Sequence, residues 1–264
     1  MINRYARLYW EFFKMHVKVK MEYRVDFLIG ILSVLLIQGT AIFFVAIVFQ
    51  HIEALHGWTF YQILFIYGIA QTGRALEFAF FDNLWLLGQD YIRPGKFDRM
   101  LVRPINPLFH VLADKLQADG LGQGIIGLIV LITAMVNLPI EWGMGDLLLL
   151  ALLIVSSGAI FMAVNLFFAS LSFWIVDSIP IMGAVFTLSD FTRYPMTIYS
   201  KGVRFVLTWL IPYGFTAFYP ATLFVENADF EKIGLLSPVV ATIAVVIAYW
   251  LWKKGLKAFS STGS

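Results

Sequence analysis

The sequence predicts an all-α integral membrane protein with six transmembrane helices in one domain, residues 1–264. An amphipathic surface helix and a short cytoplasmic helix complete this fold class. The 264 residues are 60% hydrophobic and only 14% charged. Because soluble domains carry about 25% charged residues, this chain has too few charges to cover a water-facing surface of its size. Several apolar runs also reach the roughly twenty residues that cross the hydrocarbon core of a bilayer.

The N-terminal residues 1–24 predict the amphipathic helix, lying in the membrane surface. Charged side chains recur there at helical spacings of three and four. Glu11 is acidic, and the basic ones are Arg4, Arg7, Lys14 and Lys18. Aromatic and apolar side chains fall on the opposite side: Tyr5, Leu8, Tyr9, Phe12 and Phe13. Such a helix turns its basic face toward lipid phosphates and water. Residues 14–21 also alternate with period two, so an extended end stays open, as does the choice between an anchor and a mechanical role.

Apolar runs of transmembrane length account for five of the six crossings. They occupy 27–49, about 58 onward, 121–140, 147–176 and 234–252. The residues between the last two runs, 177–225, are apolar but broken by charges and prolines. This region has room for one full crossing and a shorter segment that re-enters the membrane.

The positions of Lys and Arg predict the orientation, because cytoplasmic loops carry an excess of both. Six of these residues precede residue 25, four lie in 91–104, and three come after residue 252. The loops 50–57 and 138–146 contain none. With six crossings all the basic regions fall on one side, so both termini are predicted to be cytoplasmic.

Two pairs of charges fall inside apolar regions, where ionisable groups are costly and are often functional. Arg74 and Glu77 are three residues apart on the second segment, so one helical face presents both and they can pair. Asp190 and Arg193 repeat that spacing. A role in a transport pathway and simple snorkelling of Arg74 to the interface both fit this pattern.

Three patterns resemble known chemical sites, but the surrounding sequence lacks the features that each type of site needs. GQGIIG, residues 122–127, has dinucleotide-binding spacing but opens an apolar run instead of following a strand, so close helix packing explains it better. The RPGK stretch lacks the glycine and the hydroxyl of a phosphate-binding loop. His51, Glu53 and His56 lack the i, i+4 spacing of paired metal ligands. With no cysteine and no nucleophile beside a base, the sequence predicts no catalytic residue, metal site or cofactor in this chain.

A basic, proline-bracketed segment at 89–104 interrupts the apolar runs. Pro94 and Gly95 favour a turn, Lys96 to Leu101 fit a helix of one or two turns, and Pro104 and Pro107 would end it. A short, positioned helix suggests a docking surface. A loop that only fixes the topology is the alternative.

The stretch IRPGKFDRMLVRPINPLFHVLADKL, residues 92–116, resembles the cytoplasmic motif of a branch of ABC-2-type permeases long catalogued as a domain of unknown function. Phe97 replaces the usual aliphatic residue, while the matching positions are Gly95, Asp98, Leu101, Arg103, Pro104, Asn106 and Pro107. EYRVDFLIGIL at 22–32 resembles the family's entry into its first crossing, and residues 194–224 resemble its late region rich in aromatics and prolines.

This resemblance implies the transmembrane subunit of an ATP-driven transporter that exports an amphiphilic or hydrophobic substrate. Two copies of a separate ATPase would bind the ATP and Mg, and a second permease, identical or related, would complete the assembly. The location implied is the cytoplasmic membrane of a prokaryote, with membrane lipids as partners and no nucleic acid. Residues 89–104 become the coupling segment, with contacts expected from Tyr91, Arg93, Pro94, Gly95, Lys96, Phe97, Asp98, Arg99, Leu101, Arg103 and Pro104.

The family also places the fifth crossing at 178–198 and a re-entrant outer segment at 201–224. Counting positive charges instead favours a crossing at 203–224, because Lys201 and Arg204 would then be cytoplasmic. Two other functions fit the residues alone. One is a secondary carrier or channel that works without ATP, and the other is a membrane scaffold that transports nothing.

Overall fold

This computed structural model describes residues 2–115, 119–175, 178–225 and 231–260. Within these ranges the backbone is helical almost throughout and forms no β-strand, which confirms the predicted all-α class. The α-helices are α1 Ile2–Glu22, α2 Arg24–Phe49, α3 Phe60–Phe81, α4 Lys96–Leu101, α5 Pro107–Ala113, α6 Asp119–Asn137, α7 Met144–Ser170, α8 Ile179–Ser189, α9 Lys201–Phe205, α10 Phe218–Ala221, α11 Glu231–Gly234 and α12 Ser237–Ala258.

Short 3₁₀ and π turns join several of these helices. The 3₁₀ turns are Asp82–Leu86, Leu171–Phe173, Asp190–Arg193, Met196–Ile198 and Tyr213–Thr216, and the π turns are Leu87–Ile92 and Val206–Leu210. One of each comes directly after α3, so the chain stays helical from α3 to the turn before α4.

Three helical stretches in the described residues are long and apolar enough to cross a membrane: Arg24–Phe49, Met144–Phe173 and Ser237–Ala258. The apolar part of α6, Gly122–Asn137, is shorter. Each coincides with a run singled out in the sequence. The count of six crossings stays a prediction.

Glycines allow α3 and α6 to pack closely. A Cβ added to Gly127 would lie 2.9 Å from the backbone nitrogen of Thr72, and one added to Gly68 would lie 2.7 Å from Cα of Leu131. Any side chain at either position would push the two helices apart. The GQGIIG stretch therefore lies within a helix and serves helix packing, as its context in the sequence predicted.

Two apolar cores lie at opposite ends of the long helices. The first contains Trp58 before α3 and Leu150 early in α7, and the second contains Leu84 after α3 and Ala169 late in α7. Helix α12 passes from Ala241 in the first core to residues of the second. These helices therefore run in the same direction, from the Trp58 end to the end that carries the coupling segment.

Residues 178–197 run in the opposite direction, as a broken segment instead of one long helix. Met182 of α8 belongs to the second core, whereas Met196 belongs to the first. At the far end the hydroxyl of Thr197 accepts a hydrogen bond from the Trp58 indole at 3.0 Å. Helix α8 ends at Ser189, and the turn Asp190–Arg193 with its charges follows beside the first core, against which Phe191 packs.

The chain then leaves the Trp58 end and returns to it. Thr197 bonds to Trp58, and the ring of Phe218 lies 5.6 Å from the same indole in an edge-to-face contact. Between them, Ile211 lies beside α7 and α12 in the middle of the molecule. Residues 198–217 thus form an excursion that begins and ends at one side chain.

Candidate functional site

The coupling segment begins with a tight turn that reverses the chain after α3. Gly95 adopts φ +69°, a left-handed conformation that residues with a Cβ rarely adopt. Its N–H donates to the Ile92 carbonyl at 3.1 Å. Helix α4 begins immediately after the turn and extends from Lys96 to Leu101. The turn and the short helix agree with the sequence prediction.

Phe97 fixes α4 to the body of the protein. Its side chain is fully buried among three aromatic rings, at centroid distances of 5.5 Å to Phe173, 6.2 Å to Trp252 and 5.2 Å to Phe259. These rings lie at or just beyond the ends of α7 and α12. Helix α4 is therefore packed against the ends of two long helices, and we call this set of four rings the aromatic mount.

Tyr91 supplies a second, polar attachment. Its hydroxyl donates to Asp114 Oδ2 at 2.7 Å and accepts from Asn83 Nδ2 at 2.8 Å. Burial is the main reason that the pKa of Tyr91 is raised, so the phenol keeps its proton and can donate. Asn83 also donates to the Val111 carbonyl of α5. Tyr91 and Phe97 are thus internal supports of the coupling segment, and their role in coupling to the ATPase stays a prediction.

The remaining predicted coupling residues surround an exposed tip. Gly95 and Asp98 are half-buried, and the exposed ones are Arg93, Pro94, Lys96, Arg99, Leu101, Arg103 and Pro104. Val102, which was not among the predicted contacts, is 84% exposed, and Leu101 is 39% exposed. We call Arg99, Leu101, Val102 and Arg103 the tip. It combines two cations with two exposed apolar side chains, and Nη1 of Arg103 also donates to Nε2 of His110 at 3.0 Å.

The chain beyond the tip continues into a further short helix. Helix α4 ends at Leu101, before both prolines, and Pro107 then begins α5. The side chain of Asn106 caps that helix by accepting from the N–H groups of Leu108 and Phe109. Proline has no backbone N–H, but at the first position of a helix this costs no hydrogen bond, because an N–H there would have no partner inside the helix.

Helix α1 rests on α5. The Tyr5 hydroxyl accepts from the Asn106 N–H at 3.2 Å, and its ring lies 4.8 Å from Phe109 edge-to-face. His16 Nε2 donates to the Ala113 carbonyl at 3.1 Å. The helix continues to Glu22, so the alternative of an extended end is excluded. The four basic residues predicted to face the membrane surface are all exposed: Arg4, Arg7, Lys14 and Lys18.

The intramembrane charges pair differently from the expected i, i+3 arrangement in α3. Arg74 forms its ion pair with Asp190, at 3.0 Å between Nη1 and Oδ1, and Arg193 bonds to the same oxygen at 3.1 Å. Glu77 instead accepts a hydrogen bond from Asn165 of α7. The Arg74 side chain is almost fully buried and lies over the Phe186 ring, 4.1 Å from its centroid.

A small cavity separates these two polar contacts. It holds about 30 Å³ and is lined by Arg74, Glu77, Asn165 and Tyr213 among others. This volume accepts a water molecule or two. It is too small for an amphiphilic molecule as it stands. The charges connect helices in this structure, and their role in a transport pathway stays a prediction.

Comparison with known proteins identifies the family. A family model described as "ABC-2 family transporter protein" matches residues 35–263. This range includes the coupling segment, the excursion, and the charge cluster formed by Arg74, Asp190 and Arg193. The chain belongs to the ABC-2 family. The resemblance noted in the sequence is thereby confirmed. ABC-2 proteins are the membrane permeases of ABC transporters and work with a separate ABC ATPase, so this chain is an integral membrane permease.

No curated protein and no solved structure matches this ABC-2 permease. The described residues contain no group of three histidines or carboxylates that could hold a metal ion. Nδ1 of His51, one of the three residues whose spacing does not suit a metal site, lies 3.0 Å from the carbonyl oxygen of Ile47, one turn earlier in the chain.

Proposed function

We propose that this permease exports an amphiphilic or hydrophobic substrate and receives the energy of ATP through the coupling segment. The observation that carries the proposal is the exposed tip on a buried mount. A surface that transmits force needs side chains free to contact a partner and a rigid attachment behind them. The tip supplies the first and the aromatic mount supplies the second.

The composition of the tip suits docking into a groove of a protein partner. Stable interfaces combine an apolar centre with a charged rim that sets orientation and speeds association. Leu101 and Val102 would form the centre, and Arg99 and Arg103 the rim. A loop that only fixed topology would need the cations but not the exposed apolar pair.

Movement of the tip would reach the membrane region by two routes. The first is the helical path from α4 back through the turns after α3, and the second is the aromatic mount at the ends of α7 and α12. The ion pair between Arg74 and Asp190 would then draw the broken segment 178–197 along with α3. Helix α1, fastened to α5 through Tyr5, would brace this motion from the membrane surface.

The directions in which the long helices run agree with six crossings and two cytoplasmic termini. Helices α3, α7 and α12 run from the Trp58 end to the coupling end, and the broken segment 178–197 runs back. The excursion 198–217 would be the re-entrant segment on the outer side of a prokaryotic cytoplasmic membrane. Because the charge cluster cavity is too small for the substrate, the pathway would lie between two permease copies served by two ATPases.

Charge reversal at the tip tests the docking. We expect the double variant Arg99→Glu and Val102→Glu to weaken binding of the ABC ATPase that copurifies with the wild type by at least about tenfold, because changing the few residues that dominate an interface costs about 2 kcal/mol or more. Lys254→Glu makes the same reversal outside the coupling segment and should leave binding unchanged. Full ATPase binding and ATP-driven flux in the double variant would contradict the proposal, and flux in the purified permease alone would favour a secondary carrier.

The lack of cysteine allows a direct test of topology. A single cysteine replacing Lys201 should react with a membrane-impermeant maleimide added outside intact cells, and one replacing Arg99 should react only after the cells are opened. Labelling of the first position only after opening would instead support a crossing at 203–224.

A further inference from the structure

The excursion 198–217 carries a basic pocket near the Trp58 end. This pocket has a volume of about 260 Å³ and is lined by Lys201, Arg204, Thr208, Trp209 and Tyr219, among others. Among the side chains that the structure describes, which do not include those of residues 226–232, none forms an ion pair with Lys201 or Arg204. Two cations with no described counter-ion therefore converge beside hydroxyl groups and an indole.

An apolar groove of about 270 Å³ lies next to the basic pocket and closer to the middle of the molecule. Helices α7 and α12 form two walls, including Phe167 and Ile243, and the π turn Val206–Leu210 forms the third. Several of its apolar side chains are exposed on the outer surface of the protein, as at Ile243 and Ile247. In a bilayer such a groove opens onto lipid.

Thr208 and Trp209 line both spaces, so the pocket and the groove are adjacent parts of one amphipathic slot. Trp209 is 68% exposed and therefore free to border both parts. Tryptophan is typical of the level where headgroups meet acyl chains. The slot thus presents cations toward one membrane surface and apolar walls toward the bilayer centre.

We infer that this slot binds an anionic phospholipid, with the phosphate between Lys201 and Arg204 and an acyl chain in the apolar groove. Charge complementarity selects a phosphate group, since each cation near a membrane surface attracts anionic headgroups. The adjoining groove selects a chain over a soluble phosphate, because each buried CH₂ adds to binding. The inference uses the membrane placement of the proposed function but needs neither an ATPase nor transport.

Native mass spectrometry of the detergent-purified chain provides the test, with phosphatidylglycerol, phosphatidylcholine and glycerol phosphate as separate probes. We expect the wild type to retain phosphatidylglycerol in preference to phosphatidylcholine. The double variant Lys201→Gln and Arg204→Gln should lose that preference, with phosphatidylglycerol bound roughly tenfold to thirtyfold more weakly, the factor for two lost cations near a membrane surface. The matched control, Lys253→Gln with Lys254→Gln, removes two exposed cations from α12 and should behave as the wild type.

The groove is tested with Ala244→Phe, which places a ring in the space that the chain would occupy, and with Ile243→Ser, which changes an exposed wall without adding volume. Both variants should weaken the binding of phosphatidylglycerol and of phosphatidylcholine to the same extent. If Ala244→Phe does not fold, Ile243→Ser still provides the test. Equal retention of phosphatidylglycerol by the wild type and the Lys201 and Arg204 variant would overturn the inference. Glycerol phosphate binding as tightly as phosphatidylglycerol would overturn it also, since the groove would then contribute nothing.

Discussion

Replacing Phe97 with alanine should release the coupling segment from the protein while leaving the transmembrane helices folded. Phe97 is completely buried and contacts the rings of Phe173, Trp252 and Phe259. Removing a buried phenylalanine costs about 3–5 kcal/mol, and the edge-to-face contacts place this site within that range. Because α4 has six residues and an exposed opposite face, we expect the loss to appear as local opening of α4.

Limited proteolysis measures this opening, since trypsin cleaves the segment after Lys96 and Arg99 once the chain unfolds locally, whereas Arg93 and Arg103 precede prolines and resist cleavage. A loss of about 3 kcal/mol raises the population of the open form, and with it the cleavage rate, by roughly two orders of magnitude. The control Leu101→Ala shortens a partly exposed side chain of the same helix and should change the rate by less than about threefold. Cleavage of Phe97→Ala at the wild-type rate would show that the aromatic mount does not hold the segment.

Three further perturbations test other contacts. Asp190→Asn removes the charged partner of buried Arg74 and should lower the free energy of unfolding by about 2 kcal/mol, measured by thermal unfolding in detergent; no change would mean that the pair contributes nothing. Burial, and then the charge of Arg103, lower the pKa of His110, so stability should fall as the pH drops below about 6.5, the ordinary histidine value. The melting temperature of His110→Gln should show a weaker pH dependence, and an equal one would exclude this residue as the cause. Gly127→Ala should loosen α3 from α6 and give less folded protein on size-exclusion chromatography, while Gly122→Ala, whose nearest new contact is 4.0 Å away, should behave as the wild type.

Composition and run length were sufficient to place the long helices, because a bilayer forces a spanning helix to be both apolar and about twenty residues long. The runs at 27–49, 147–176 and 234–252 therefore coincide with helices. The turn at Gly95 was also predictable, since local backbone preferences determine it. These are properties of short stretches of chain, which a single sequence displays directly.

Contacts between distant residues could not be predicted in the same way. The partner of Arg74 lies in a different segment, and the i, i+3 spacing suggested Glu77 because spacing reports on one helix alone. Helix α4 is too short for its periodicity to show that Phe97 faces inward and Val102 outward. The course of the chain after Thr197 is not determined by its sequence, because its charges and prolines fit both a crossing and a return.

The meeting of Thr197 and Phe218 on one indole has a mechanical consequence. Residues 198–217 form a closed loop pinned at its base, so displacement of its far end at Trp209 is not passed along the backbone to the helices on either side. Such a displacement would act on the rest of the permease sideways, through the walls of α7 and α12 that border it and through the hydrogen bond from the Tyr213 hydroxyl to the Val185 carbonyl of α8. A molecule lodged there would therefore wedge two helices apart instead of pulling on the chain.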